Sequence, residues 1–114
     1  MSINTCALSG NLAANAELRA TKSGTPVLSA TVAVNERARQ EDGTYADRPN
    51  YIDLVLFGRR ANALAQYLVK RTYVSVQGRL RQSSYEDRQG MRRSKVEVVV
   101  EELDWRTRTA EQTA

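Results

Sequence analysis

The stretch Tyr51-Ile52-Asp53-Leu54-Val55-Leu56-Phe57-Gly58-Arg59-Arg60-Ala61-Asn62-Ala63-Leu64-Ala65-Gln66-Tyr67-Leu68 changes period at its glycine. Before Gly58, Ile52, Leu54 and Leu56 alternate with Tyr51, Asp53, Val55 and Phe57, the pattern of a strand with two chemically different faces. After it, Ala61, Leu64, Ala65 and Leu68 stand at i, i+3, i+4 and i+7, which is one apolar stripe of a helix. Residues 59–70 are good helix formers with no Gly or Pro, and Lys70-Arg71 puts positive charge where a helix C-terminus favours it. The expectation is a strand over 51–57 running straight into a single helix over 59–70.

Strand character surrounds this unit on both sides. Upstream, Ile3–Ser9 reads as a first strand, Gly10-Asn11 as a break, Glu17–Thr21 as extended chain, and Val27–Val34 as a second strand with Pro26 tolerated at its start. Asp42-Gly43, within the polar stretch from Glu36 to Pro49, signals a hairpin joining the second strand to the third. Downstream, Tyr73–Arg81 and Ser94–Val100 read as two more strands across a turn at Asp87–Gly90, and Gly78 inside a strand marks a bulge or a tight corner. Three strands, a helix and two strands make an all-β OB-fold, a five-stranded antiparallel Greek-key barrel with its helix between strands 3 and 4. A sandwich needs more strands, and a ferredoxin-like fold needs a second helix. The expected domain is 1–105, with 106–114 a short polar tail lacking fixed structure.

A chain of 114 residues supports one small core and no second domain. Its single cysteine, Cys6, cannot form an internal disulfide or a Cys-based zinc site, and reads as a small buried hydrophobe. There is no histidine, so the commonest metal ligand and general base are missing, and neither metal nor cofactor is expected. No run reaches the roughly 18–20 apolar residues of a membrane span, and Met1–Thr5 lacks the order of a secretory signal. A cytoplasmic, nucleoid-associated protein with no membrane partner is expected.

Charge is unevenly distributed. The net +4 divides into +2 over 1–40, −3 over 41–58, +8 over 59–95 and −3 over 96–114, and 14 of the 17 cations are arginine. Arginine forks onto phosphate and stacks on flat rings, which suits a nucleic acid. Tyr51 and Phe57 share one face of the third strand, although Phe57 could instead cap the core, and Tyr85 stands among polar residues at the tip of the last hairpin. Arg37 and Arg39 leave the second strand, Arg59 and Arg60 follow Phe57, Arg79 and Arg81 share a face, and Arg88, Arg92, Arg93 and Lys95 surround the last hairpin. Rings set among cations suit an unstacked strand: bases rest on the rings, and phosphates follow the cations. Binding through about four phosphates would weaken about 600-fold per tenfold rise in salt.

Leu8-Ser9-Gly10-Asn11-Leu12, the block from Pro49 through Arg59 into Ala63–Leu68, and Val74-Ser75-Val76-Gln77-Gly78-Arg79-Leu80-Arg81 together resemble the bacterial single-stranded DNA-binding proteins, over residues 3–105. The resemblance implies an OB-fold, homotetramerisation, and non-catalytic coating of single-stranded DNA, without sequence preference, in replication, recombination and repair. It implies stacking roles for Tyr51, Phe57 and Tyr85, and basic contacts from Arg19, Arg59, Lys70 and Arg81. Some positions depart from the family. Ala38 stands where a tryptophan is common, with Tyr45 at that hairpin's tip as its substitute, and Asp53 stands where a basic residue is common. The family's acidic tip recruits replication and repair enzymes; the sequence here stops at Gln112-Thr113-Ala114, which makes it either a shortened piece of a longer chain or a short relative that coats DNA without that route. Trp105 is expected to pack on the barrel or at a subunit contact. Other readings are a dimeric primosomal replication protein of the same fold that loads helicases, an RNA-binding OB module, and a metal-dependent nuclease using Asp53, Asp87 and Glu97.

Overall fold

The computed structural model describes residues 1–106. Its elements run β1 (Cys6–Leu12), β2 (Glu17–Ala20), β3 (Pro26–Arg39), β4 (Tyr45–Phe57), α1 (Arg59–Leu64), β5 (Tyr73–Glu86) and β6 (Arg92–Arg106). β1 pairs with β5 from Cys6↔Gly78 to Asn11↔Tyr73, and its last residues, Asn11 and Leu12, pair with Ala33 and Val32 of β3. That handover closes the sheet β1-β5-β6-β4-β3 into the five-stranded barrel of an OB-fold, and β2 adds a short outer strand along β3. The pairing is antiparallel except where β4 meets β6 at Leu54↔Val98 and Val55↔Val99, a parallel seam.

Alternation explains what lies inside. Leu28 and Val32 of β3, Leu54 and Leu56 of β4, Val74 and Val76 of β5, and Val98 and Val100 of β6 point inward, and with Leu12, Ala61 and Leu68 they form the core. The apolar stripe read after Gly58 does face this core: Ala61 and Leu68 are buried, and Leu64 and Ala65 pack against it. Gly78 sits where β5 and β6 shift register: Gln77 pairs with Glu102 but Gly78 pairs with Val100, leaving Glu101 as the extra residue. A Cβ on Gly78 would overlap the Val99 carbonyl, and one on Gly10 would overlap the Ala33 carbonyl, so the strands cross closely there because both positions lack side chains.

Element lengths differ from the sequence expectation in two ways. The strands are longer, because β3–β4 and β5–β6 continue past the core as two-stranded ribbons to Arg39↔Tyr45 and Glu86↔Arg92. There both faces meet water, so polar residues occupy both and the hydrophobic alternation disappears while the backbone ladder goes on. The helix is shorter, 59–64 rather than 59–70. Leu68 N–H still donates to Leu64 O (3.1 Å), but Tyr67 N–H reaches Leu64 O in a tighter turn, and the chain then swings back toward β1. Arg71 adopts a positive φ of 76° and donates to Leu12 O, and Lys70 donates its backbone N–H to Asn15 Oδ1 (2.8 Å) rather than closing the helix with its charge. Arg106, placed in the polar tail by the sequence, is the last residue of β6, and the rest of the expected tail, 107–114, lies outside the described residues. Among the described residues no helix is long and apolar enough to cross a membrane.

Candidate nucleic-acid interface

The odd-numbered residues of β3, β4, β5 and the first half of β6 face outward together, as the register requires. Val27 pairs with Phe57, Ala33 with Tyr51, Val55 with Val99, Val99 with Arg79, Arg81 with Glu97, and Tyr85 with Arg93. Tyr51, Phe57 and Tyr85 are therefore on one outer surface, and they are 65%, 37% and 49% exposed. Phe57 points out and does not cap the core. Val55 and Val99, in the middle of this face, are buried and give it an apolar floor.

Phe57 is the centre of a small constellation. Arg19 of β2 pairs with Val27, which pairs with Phe57, so three strands carry Arg19 to the same patch, where its Nη2 donates to Ser29 Oγ (3.0 Å). From the other side the Arg81 guanidinium lies over the Phe57 ring, 5.1 Å from its centroid. Arg81 Nη2 also donates to Glu97 Oε1 (2.8 Å), and Lys95 Nζ stands 3.6 Å from Glu97 Oε2. Burial pushes the Glu97 carboxyl up, but the Arg81 bond, the charges of Lys95 and Arg81, and a bond with Ser83 outweigh it and hold the group below its usual value. Glu97 and Lys95 line a notch of about 220 Å³ with Asp53 and Glu17, and Thr31 Oγ1 donates to Asp53 (3.0 Å).

The ribbons carry the rest of the expected cations. Arg37 and Arg39 are part of β3, and Arg37 covers the ring of Tyr45 at 5.7 Å; Tyr45 opens β4 opposite Arg39 and is not at a loop tip. Tyr85 is likewise within a ribbon and not at its tip, paired with Arg93 one step before the last pair, Glu86↔Arg92. Arg93 Nε donates to Asp87 Oδ2 (2.9 Å), and Asp87 also accepts from the Met91 and Gln89 N–H groups, so it organises the turn. Arg92 pairs with Glu86 and so sits on the ribbon face opposite Tyr85, while Arg88 is in the turn. Arg79 lies 3.7 Å from Glu101, whereas Arg39, Arg59, Lys70, Arg88 and Arg92 make no ion pair among the described residues. Lys70 is on the loop after α1, joined to this face only through Asn15, which lines the notch.

Three carboxylates considered for metal chemistry do not converge. Asp53 and Glu97 share the notch, but Asp87 is occupied in the hairpin turn with Arg93. Trp105 packs against the core and stacks on Tyr67 with centroids 5.4 Å apart, and Cys6 is half-buried against the same core. Trp105 thus packs on the barrel, one of the two placements expected for it.

Asp87 and Glu97 both have folded-state pKa values below their usual ones, Asp87 chiefly through the bond from Arg93. A depressed carboxylate stabilises the fold above its unfolded pKa, near 4, and that contribution is lost as pH falls through the lower folded value. Melting temperature should therefore hold down to about pH 5 and drop below about pH 4, and Asp87→Asn should remove part of the drop. Thermal scans at several pH values measure this, and a flat profile to pH 3 would count against these ion pairs.

The family described as the single-strand binding protein family matches residues 3–105. The chain is 42% identical to a protein named single-stranded DNA-binding protein from Borreliella burgdorferi, over 89% of this chain and 68% of that one. It is 40% identical to one of the same name from Treponema pallidum, over 84% and 53%, and 38% identical to one from Wolinella succinogenes, over 88% and 62%. The chain thus spans between about half and two thirds of these relatives' lengths. Its fold is similar to a solved deletion variant of the single-stranded DNA binding protein from Thermus aquaticus, with a TM-score of 0.77 and 28% identity, over 92% of this chain and 51% of that one.

Proposed function

We propose, because the chain belongs to the single-strand binding protein family, that it holds single-stranded DNA on the outer face carrying Tyr51, Phe57 and Tyr85. The observation that carries this reading is the Phe57 patch: an exposed ring flanked by Arg19 and Arg81 from different strands. Bases stack on rings whatever their identity, and arginines take up phosphate charge, so the grip is independent of sequence. Arg37, Arg39 and Tyr45 extend the path along one ribbon, and Tyr85, Arg88 and Arg93 along the other. Arg59, Lys70, Arg79 and Arg92 contribute positive potential around it.

The protein acts by binding, without catalysis, and coats exposed DNA in the cytoplasm during replication, recombination and repair. It does so as a homotetramer; one edge of β1 over Cys6–Ser9 pairs with β5 while the other edge has no partner within the described chain, which supports self-association. Light scattering should report four subunits, and two would favour the dimeric helicase-loading adaptor instead.

Titration of oligo-dT against a duplex of equal length, at two salt concentrations, tests the central reading. The single strand should bind more tightly, with affinity falling as salt rises; preference for the duplex would refute it. Arg59→Ala should flatten the salt slope by about 0.7, the share of one phosphate contact, while leaving the fold intact because Arg59 is exposed. An unchanged slope would remove Arg59 from the contact set.

A further inference from the structure

Glu97 is the one buried charged residue among the described residues, and it is buried on the outer face, not in the core. Its side chain is 7% exposed beneath Arg81 and Lys95, which are 42% and 44% exposed. Ionised groups at such depth need partners, and Glu97 has two cations that a phosphate would also use. One of them, Arg81, lies on the Phe57 ring, where a base would stack.

We propose that Glu97 is a built-in competitor for DNA phosphate, a positioning residue that keeps Arg81 over Phe57 and occupies both cations until a strand takes them. The inference rests on the reading of the Phe57 face as the DNA-binding face. The groups around Glu97 fit this role. Arg81 and Ser83 face it from β5 and Lys95 from β6 itself, while Asp53 of β4 and Glu17 of β2 line the same notch and add no positive charge. A phosphate that reaches Arg81 and Lys95 meets a fixed negative charge behind them, and the guanidinium must leave the ring or be shared before a base stacks. The protein therefore binds less tightly than its count of arginines implies, and its empty stacking surface stays covered by a cation.

The test is Glu97→Gln, which keeps the shape and one acceptor oxygen for Arg81 but removes the charge and the second acceptor. Oligo-dT should bind about tenfold more tightly at low salt, since a like charge near a surface phosphate is worth about that much, and the salt slope should steepen by about 0.7. Weaker or unchanged binding with an unchanged slope would overturn the proposal and leave Glu97 as a structural partner of Arg81. In the double variant Glu97→Gln/Arg81→Ala, most of the gain should vanish, and a full gain there would also overturn it. Arg81→Ala and Phe57→Ala alone separate the two levels. If neither changes binding, the assignment of the face has failed; if both weaken it and Glu97→Gln does not tighten it, only the competitor role has failed.

A second measurement does not depend on how the variants fold. In the unaltered protein, the carboxyl ¹³C resonance of Glu97 should titrate at a higher pH when oligo-dT is bound, as its cations are drawn away. A Glu97 midpoint that does not move, or that falls, would count against competition.

Discussion

Gly78→Ala should cost stability at the upper end of the overpacking range, about 3 kcal/mol or more, and lower the melting temperature by about 12 °C or more. The new methyl would meet the Val99 carbonyl, with Val98 Cγ1 also at 3.1 Å. A carbonyl in a paired strand cannot swing aside as a flexible side-chain tip can, so β5 and β6 must part at the point where their register shifts. That place lies beside Val98 and Val100, two core residues, and small domains have only about 5–15 kcal/mol in total. Ser84→Ala, on the exposed ribbon of the same strand, provides the comparison and should stay within about 0.5 kcal/mol of the parent. Thermal and urea melts of both variants are sufficient. A Gly78→Ala protein that melts like the parent would show that the two strands do not cross so closely.

Phe57→Ala should weaken oligo-dT binding by about 1–3 kcal/mol, roughly 5- to 150-fold, while the protein stays folded. The ring is outside the core and partly exposed, so its removal leaves no internal cavity. What is lost is a stacking platform together with the surface on which Arg81 rests, and Arg19 is left beside an emptied patch. Tyr51→Ala should lose a comparable amount, and Tyr85→Ala should fall toward the lower end of the range because its ribbon is held only by its own ladder. Anisotropy titrations with circular dichroism controls check all three. Affinity unchanged in Phe57→Ala would mean that nucleic acid uses another face.

How far the sequence could be read depends on where each residue sits. The strand-to-helix switch at Gly58 was legible because Leu54, Leu56, Ala61 and Leu68 all bury against one core, and burial is what writes periodicity into a sequence. The ribbons were not, because from Asn35 to Asn50 and from Arg79 to Lys95 neither face is buried and nothing constrains residue type. For the same reason Tyr45 and Tyr85 looked like loop-tip residues when they are strand residues. The end of the helix was misjudged because 65–70 keep helical composition although the return to β1, through Arg71 and Leu12, ends the helix early. Arg19 and Arg81 could be found as cations but not as neighbours of Phe57, since β2 and β5 reach that ring only through the closed sheet. The Arg81–Glu97 pair had a faint signal: a hairpin centred on Gln89 places residues 81 and 97 opposite each other. Composition gave no reason to look for it.

The ribbons also determine how the molecule yields to a protease. Backbone that lacks a buried layer opens locally at low cost, well before the barrel does, and these two arms expose Arg37, Arg39, Arg88, Arg92 and Arg93, each a cleavage point for trypsin. Brief digestion should clip the arms and spare the barrel. A strand lying along the arms would shield those sites, so the pattern of nicks becomes a footprint of the ligand written on the protein.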